Sequence, residues 1–515
     1  MGLEQNLIGG VRNVSNYRLT LIACALTGAV ASAYGQTRLP PVDTQYIPGP
    51  SYVAWQDSSS LPRDQAGHSE EEPASTEEAA KGSSEGGLSL EERLGELEET
   101  LKKFKEEATA APKRPTLKIG GRIQFDTWSF ADDSEGIHFF ENPVTGVDPE
   151  NRIFFRRIRL ELQGDIWQNM IYRLGIDFNT PSEPEYKDVY IGFTELPVLQ
   201  TLIIGNHKRP LGLDHLNSSR FNVFIERPLA VEAFNEDARR IGISSEGVSE
   251  DEVYNWRYGI FCLENTTSDG KYIGDSLQMS FNARLASSPW YDETSGGRGY
   301  FHWAVSSMFA NPDGDADPVD TNQNEARFRT RSELRSEQRW LDTGRIRGAE
   351  AYEIIGLETI LNVGPLQIVG EYMPSWVQRD DVIQASEPDL FFHGGYVYVA
   401  YMLTGEHVPY DRESGTIGRV KPFEDFFFVR RCSGGHGSGW GAWQAALRYS
   451  YLDLTDEDIQ GGVENNVTLG LVWYFNPYAN LQFNAVYGDI EDHRPIGGYT
   501  AGHFTALGTR LRMDF

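Results

Sequence analysis

Arg327, Arg329, Arg331 and Arg335 occupy alternate positions of one run, with Phe328, Thr330 and Ser332 between them. In an extended backbone alternate side chains share a side, so the four guanidinium groups project as a row of fixed positive charge. Arginine stays charged at any relevant pH and offers planar paired donors to phosphate oxygens, so such a row attracts anions and releases them without covalent chemistry. The competing reading is a solvated loop in which Glu325, Glu333 and Glu337 neutralise much of that charge. A second basic group, His207-Lys208-Arg209, is followed by Arg220 and Arg227, and further arginines stand at Arg122, Arg157, Arg159, Arg510 and Arg512. For Arg157 and Arg159 the alternative is ion pairing with Glu161 along a barrel wall.

The elements that must position these residues are strands. In Leu507 to Phe515 the apolar Leu507, Leu511, Met513 and Phe515 fall on odd positions, with Gly508, Arg510, Arg512 and Asp514 on even ones. One face suits lipid and the other water, the pattern of a transmembrane barrel strand, and the aromatic end reads as an assembly signal. The same alternation sets Ile119, Gly121, Ile123 and Phe125 against Arg122, Gln124 and Asp126. It also sets Phe154, Arg156, Ile158, Leu160 and Leu162 against Arg157, Arg159 and Glu161, and Tyr172, Leu174 and Ile176 against Arg173 and Asp177.

Candidate strands centre near 119, 156, 174, 190, 203, 242, 257, 281, 305, 356, 368, 398, 446, 470, 484 and 510. The predicted fold is therefore all-β, a transmembrane antiparallel β-barrel of about sixteen strands. Short turn-rich connections, such as Asn362-Val363-Gly364-Pro365 and Asn476-Pro477-Tyr478, fall on one parity and define a periplasmic side. Long connections fall mostly on the other parity, where the run from Asn311 to Glu350 forms the fifth outer loop. Gly405 to Gly439 is long yet has the short-turn parity, so either the strand count slips there or the segment is an inner-side element.

Composition agrees with an envelope location. The chain has 515 residues, 40% hydrophobic and 12% aromatic, and carries a formal net charge of −29, which argues against a nucleic-acid partner. Residues 1–33 read as a signal peptide, with Arg12 and Arg18 ahead of an apolar run and Ala31-Ser32-Ala33 at its end. Leu21-Ile22-Ala23-Cys24 offers a competing lipoprotein box behind a shorter apolar run. Residues 34–87 read as a disordered acidic spacer, and 88–110 as a short coiled-coil helix with Leu90, Leu94, Leu97, Leu101 and Phe104 at heptad spacing. The barrel domain spans 116–515. Within it no Gly-x-Ser-x-Gly or His-Glu-x-x-His occurs, and His436 and Ser438 sit in a glycine-rich stretch, so no catalytic residue, cofactor or metal site is expected. Of the 3 cysteines, Cys262 and Cys432 leave a single bridge open.

From about Leu117 onward the chain resembles the phosphate-selective porin O and P family. The resemblance is carried by Gly121-Arg122-Ile123-Gln124-Phe125-Asp126, Arg156-Arg157-Ile158-Arg159 and Tyr401-Met402-Leu403-Thr404-Gly405-Glu406. It is most specific in Gly441-Ala442-Trp443-Gln444, Leu447 to Leu454 and Gly470 to Pro477. It implies an outer-membrane barrel of sixteen strands, usually a homotrimer in lipid, with loops folded inward and an arginine ladder guiding small anions. The expected pore-lining set is Arg122, Arg157, Arg159, Lys208, Arg209, Arg220, Arg227, Arg327, Arg329, Arg331, Arg335, Arg510 and Arg512. Phosphate-specific members share a lysine-rich central site. Here the barrel region holds only Lys118, Lys187, Lys208, Lys271 and Lys421. Phosphate or polyphosphate thus stay candidate solutes while the lysine count weighs against true phosphate selectivity. The alternative function is a general diffusion porin with a mainly structural, envelope-tethering role.

Overall fold

The computed structural model describes residues 114–180, 183–236, 238–265, 277–312, 325–379, 388–427 and 434–515, with backbone alone at 429–430. The signal peptide, spacer and heptad helix, and Cys432, lie outside these residues.

Sixteen antiparallel strands close into a barrel. The first nine are β1 (Lys118–Asp133), β2 (Arg152–Trp167), β3 (Met170–Asp177), β4 (Glu185–Leu196), β5 (Gln200–Lys208), β6 (Arg239–Val248), β7 (Tyr254–Cys262), β8 (Met279–Tyr291) and β9 (Gly299–Asn311). A small ladder in the fifth outer loop, β10 (Arg329–Thr330) with β11 (Leu341–Asp342), precedes β12 (Ala349–Val363), β13 (Leu366–Arg379) and β14 (Leu390–Met402). Two more ladders, β15 (Tyr410–Asp411) with β16 (Thr416–Ile417) and β17 (Val429–Arg430) with β18 (His436–Gly437), lie before β19 (Ala442–Asp456). The barrel is completed by β20 (Ile459–Asn476), β21 (Ala479–His493) and β22 (Gly502–Asp514), which pairs with β1. Among the described residues three short α-helices, α1 (Glu135–Glu141), α2 (Leu213–Leu216) and α3 (Leu229–Phe234), belong to loops. At the closing seam Gly508 lies opposite Trp128, where a Cβ would come within 2.8 Å of the buried indole.

Alternation holds through most strands, with Leu507, Leu511 and Met513 exposed outside and Arg510 and Arg512 buried inside. It slips in β2. The register jumps between Gln124 and Phe125 of β1, which face Arg157 and Phe155, so Arg156 occupies a bulge. Ile153 and Phe155 therefore face outward, and Arg156, expected on the apolar face, turns inward.

The third outer loop, 209–238, enters the lumen and decides what stays open there. Its Leu211, Leu213, Val223, Phe224, Ile225, Leu229, Val231 and Phe234 are buried in one cluster with Met308, Ile354, Val369, Met373, Tyr398 and Val486 from β9, β12, β13, β14 and β21. Removing each large apolar side chain from water contributes about 1.5–3 kcal/mol, so the loop is held on that half of the wall. Polar latches add direction: the N–H groups of Leu213 and Asp214 each donate at 2.7 Å to the buried Glu371 carboxylate, and Tyr396 donates to it at 2.6 Å.

The segment 403–441 is the inner-side element. The count of sixteen strands stands, and the chain after β14 rises into the lumen from the short-turn end. Tyr300 donates to the Val408 carbonyl at 3.0 Å, His302 meets the Tyr410 hydroxyl at 2.7 Å, and Arg284 donates to the Gly415 carbonyl at 3.0 Å. The Ile417 N–H then donates to the Asn217 side chain of the third loop at 3.0 Å, so the two inserted segments touch. The segment leaves through Phe426, packed on Trp473 at 4.5 Å between ring centres, and re-enters the wall at Gly441. There φ is +66° and a Cβ would lie 2.2 Å from the Tyr474 carbonyl oxygen.

Candidate permeation site

Two of the cavities beside the third loop share part of their lining. The outer one, about 780 Å³, is lined among the described residues by ten cationic and six carboxylate side chains, with Arg331, Arg335 and Arg339 facing Arg156, Arg157 and Arg159. The inner one, about 310 Å³, is lined by eight cations against two carboxylates, including Arg122, Arg173, Lys208 and Arg257. Arg157, Arg159, Arg227 and Arg239 line both, which marks the junction between them. Every barrel strand that contributes to either lining lies between β1 and β7. Both cavities therefore lie on one side of the lumen, and their basic lining stands against a chain of net charge −29.

Carboxylates shared among several arginines hold this lining in place. Glu161 receives Arg122 at 2.5 Å, Arg173 at 2.7 Å and Arg220 at 3.3 Å. Glu226 receives Arg156 at 2.9 Å and Arg510 at 2.8 Å, with Arg335 at 3.5 Å. Burial alone would raise the Glu226 pKa, and Arg156, Arg510 and Arg157 overcome it, holding the carboxyl down at about 2. Arg159 makes two bonds to Asp177, at 3.2 and 2.8 Å, and Arg239 two to Asp188, at 2.9 and 2.7 Å.

The expected pore residues occupy several environments. Arg122, Arg157, Arg159 and Arg227 reach the cavities, as do Arg331 and Arg335. Lys208 lines the inner cavity but its ammonium donates to the carbonyls of His215, Leu216 and Asn217 at 2.6, 3.0 and 2.9 Å, closing the end of α2. Arg227 donates to the carbonyls of Asp214, His215 and Asn217. Arg220 bonds Glu161 and lies 3.5 Å from Asp514. Arg510 is buried between Asp126 and Glu226, and Arg512 donates to the Ser219 carbonyl at 3.0 Å, so both act beneath the third loop.

The run from Arg327 to Arg335 is not one continuous extended row. Ser332 and Glu333 take positive φ, 57° and 62°, and the chain turns there. Arg327 pairs with Asp342, and Arg329 with Glu236 at 2.6 Å; both line a third cavity of about 240 Å³ with Arg209, Arg240 and Arg345. Arg331 stands 3.8 Å from Glu232 and, with Arg335, faces the outer cavity.

Among residues outside the expected set, Arg173 and Arg257 share lumen-facing parity with their strand neighbours, a signal readable from alternation alone. Arg156, brought in by the bulge, Arg239, at the first position of β6 on the parity of the exposed Ile241 and Ile243, and Arg339, in the fifth outer loop, carry no such signal.

A closed sixteen-stranded barrel with an apolar outer face and a charged lumen narrowed by inserted loops is an outer-membrane channel of the porin class. The family model described as "Phosphate-selective porin O and P" matches residues 130–515, and the chain belongs to that family. It is an outer-membrane protein of the Gram-negative type. Porin O of Pseudomonas aeruginosa is 24% identical over 405 residues, covering 72% of this chain and 82% of that protein. An uncharacterized protein of Caulobacter vibrioides is 26% identical over 409 residues, covering 78% of this chain and 74% of the other. Among solved structures, an anion-selective porin from Comamonas acidovorans superposes with a TM-score of 0.46 at 13% identity, covering 78% of this chain and 99% of that one. The trimer form of OmpT from Vibrio cholerae does so with 0.45 at 10% identity, covering 78% and 99%.

Proposed function

We propose that this porin conducts small anions down their gradient along the arginine-lined side of its lumen. The observation that carries the reading is the lining of the inner cavity, eight cations against two carboxylates, while Glu161, Asp177 and Asp214, which pair with Arg122, Arg159 and Arg227, do not line it, inside a strongly acidic chain. In a narrow passage walled by protein each unpaired charge acts through an effective dielectric of about 20 rather than 80, so cations are repelled and anions drawn in. Arg331 and Arg335 receive the anion from outside, Arg157, Arg159 and Arg227 pass it through the junction, and Arg122, Arg173 and Arg257 carry it inward. Lys208, occupied by three carbonyls, positions the third loop and is not an anion ligand. Inorganic phosphate and short polyphosphates belong to the class admitted, without a lysine-built phosphate site. The family resemblance supports a homotrimer in outer-membrane lipid, each protomer with its own path.

The test is the reversal potential of the purified full chain in a planar bilayer under a salt gradient. A potential on the anion side is expected; a cation-selective parent overturns the reading. Stepwise closure in threes is the expected signature of the trimer.

A further inference from the structure

The arginines flanking the junction are each answered by a carboxylate, and Arg157 is not. Arg122 has Glu161 at 2.5 Å, Arg156 has Glu226 at 2.9 Å and Arg159 has Asp177 at 2.8 Å. Among the described residues no carboxylate oxygen lies within 4.0 Å of the Arg157 guanidinium. What it meets is an amide: Arg157 Nη1 donates to Gln124 Oε1 at 2.5 Å. Gln124 is the residue directly opposite Arg157 in the β1–β2 register and is 0% exposed. Its Nε2 donates in turn to the Ser219 carbonyl of the third loop at 3.3 Å.

An amide can accept from a guanidinium with one end and donate to a carbonyl with the other. It orients Arg157 without neutralising it. A carboxylate in the same place would cancel the charge and set an acceptor against the Ser219 carbonyl. Since Arg157 lines both cavities, this choice falls where the two meet.

We infer that the neutrality of Gln124 preserves anion selectivity: it engages Arg157 at the junction while leaving that guanidinium without a carboxylate within 4.0 Å. The inference rests on the anion-channel reading above. It extends it by tracing part of the selectivity to the lack of charge on a buried residue that lines neither cavity.

The experiment compares Gln124→Glu and Gln124→Met in the full chain, reading the chloride-to-potassium permeability ratio from reversal potentials. Heat-modifiable gel migration reports folding of each. Gln124→Glu is expected to lower the ratio about fivefold or more, the scale on which one full charge acts at an effective dielectric of ~20. Gln124→Met removes both hydrogen bonds but adds no charge, and the ratio should stay within about twofold of the parent, because selectivity follows net charge before geometry. An unchanged ratio in Gln124→Glu, or an equal fall in both variants, overturns the inference. If Gln124→Glu does not fold, Arg157→Gln tests the same charge from the other strand, and an unchanged ratio there overturns it too. Failure of the parent to select anions is read separately and counts against the proposed function alone.

Discussion

Arg510 of the last strand lies directly opposite Asp126 of the first, and their side chains join through bonds of 2.7 and 2.6 Å across the line where the barrel closes. Both are buried; Asp126 without Arg510 is an uncompensated charge in a poorly solvated site, and Arg510 without Asp126 keeps Glu226 as its carboxylate partner. Asp126→Ala or Arg510→Ala is expected to destabilise the folded barrel by about 3–5 kcal/mol. The double variant Asp126→Leu/Arg510→Met should recover most of that loss. Urea unfolding followed by heat-modifiable migration measures it, and strictly additive single losses would show the two side chains to be energetically independent.

Acid should loosen the third loop through Glu226. Its carboxyl is held at about 2 in the folded protein, against an ordinary value of about 4.3 when unfolded. A depressed value means the contribution is fully present above about pH 4.3 and is lost as pH falls toward 2; it amounts to roughly 3 kcal/mol. Proteolytic susceptibility of the loop measured from pH 6 to pH 2 should rise across that window. Glu226→Gln should abolish the dependence, and a rise unchanged in that variant would assign it to other groups.

The arginines of the fifth loop should divide by surroundings rather than by spacing. Arg331→Ala with Arg335→Ala removes two cations from the outer cavity and should reduce anion conductance at low salt severalfold, fading at 1 M salt where the Debye length is about 3 Å. Arg327→Ala breaks the pair with Asp342 and should leave selectivity nearly unchanged while lowering stability by about 1–3 kcal/mol. Equal conductance losses from both would indicate that the third cavity also carries ions.

Glu371 should govern channel noise. Its carboxylate accepts from two buried backbone N–H groups at the turn of the third loop, each costing about 1–3 kcal/mol if left unmatched. Glu371→Ala is expected to raise open-channel current fluctuations in single-channel records without reversing selectivity. Quiet records would place the anchoring in the apolar contacts alone.

The barrel was legible in the sequence because its two faces meet different solvents. Leu507, Leu511 and Met513 against Arg510 and Arg512 needed no knowledge of any partner, and each of the sixteen candidate centres falls within a barrel strand. What escaped it depends on distant partners. The bulge that turns Arg156 inward is a register event between strands and leaves no mark on alternation. The Arg327–Arg335 run looked continuous because only backbone angles at Ser332 and Glu333, the latter buried against Arg448, bend it. The inner-side segment announced itself as a length of the wrong parity, but its contacts with Tyr300, Arg284 and Asn217 could not be read from it. Lys208 was legible as a charge, whereas the three carbonyls that occupy it come from a loop turn several residues on.

Because the apolar contacts of the third loop fall on β9–β21 and the two basic cavities are lined from β1–β7, the proposed function divides the barrel into a bracing arc and a conducting arc. Fully buried pairs such as Arg284–Glu358 belong to the first, and the shared guanidinium groups to the second. A substitution in the bracing arc is expected to lower stability, and one at a cavity-lining side chain of the conducting arc to lower throughput. A lineage can therefore drift in solute preference through half of its strands while the other half keeps the scaffold rigid.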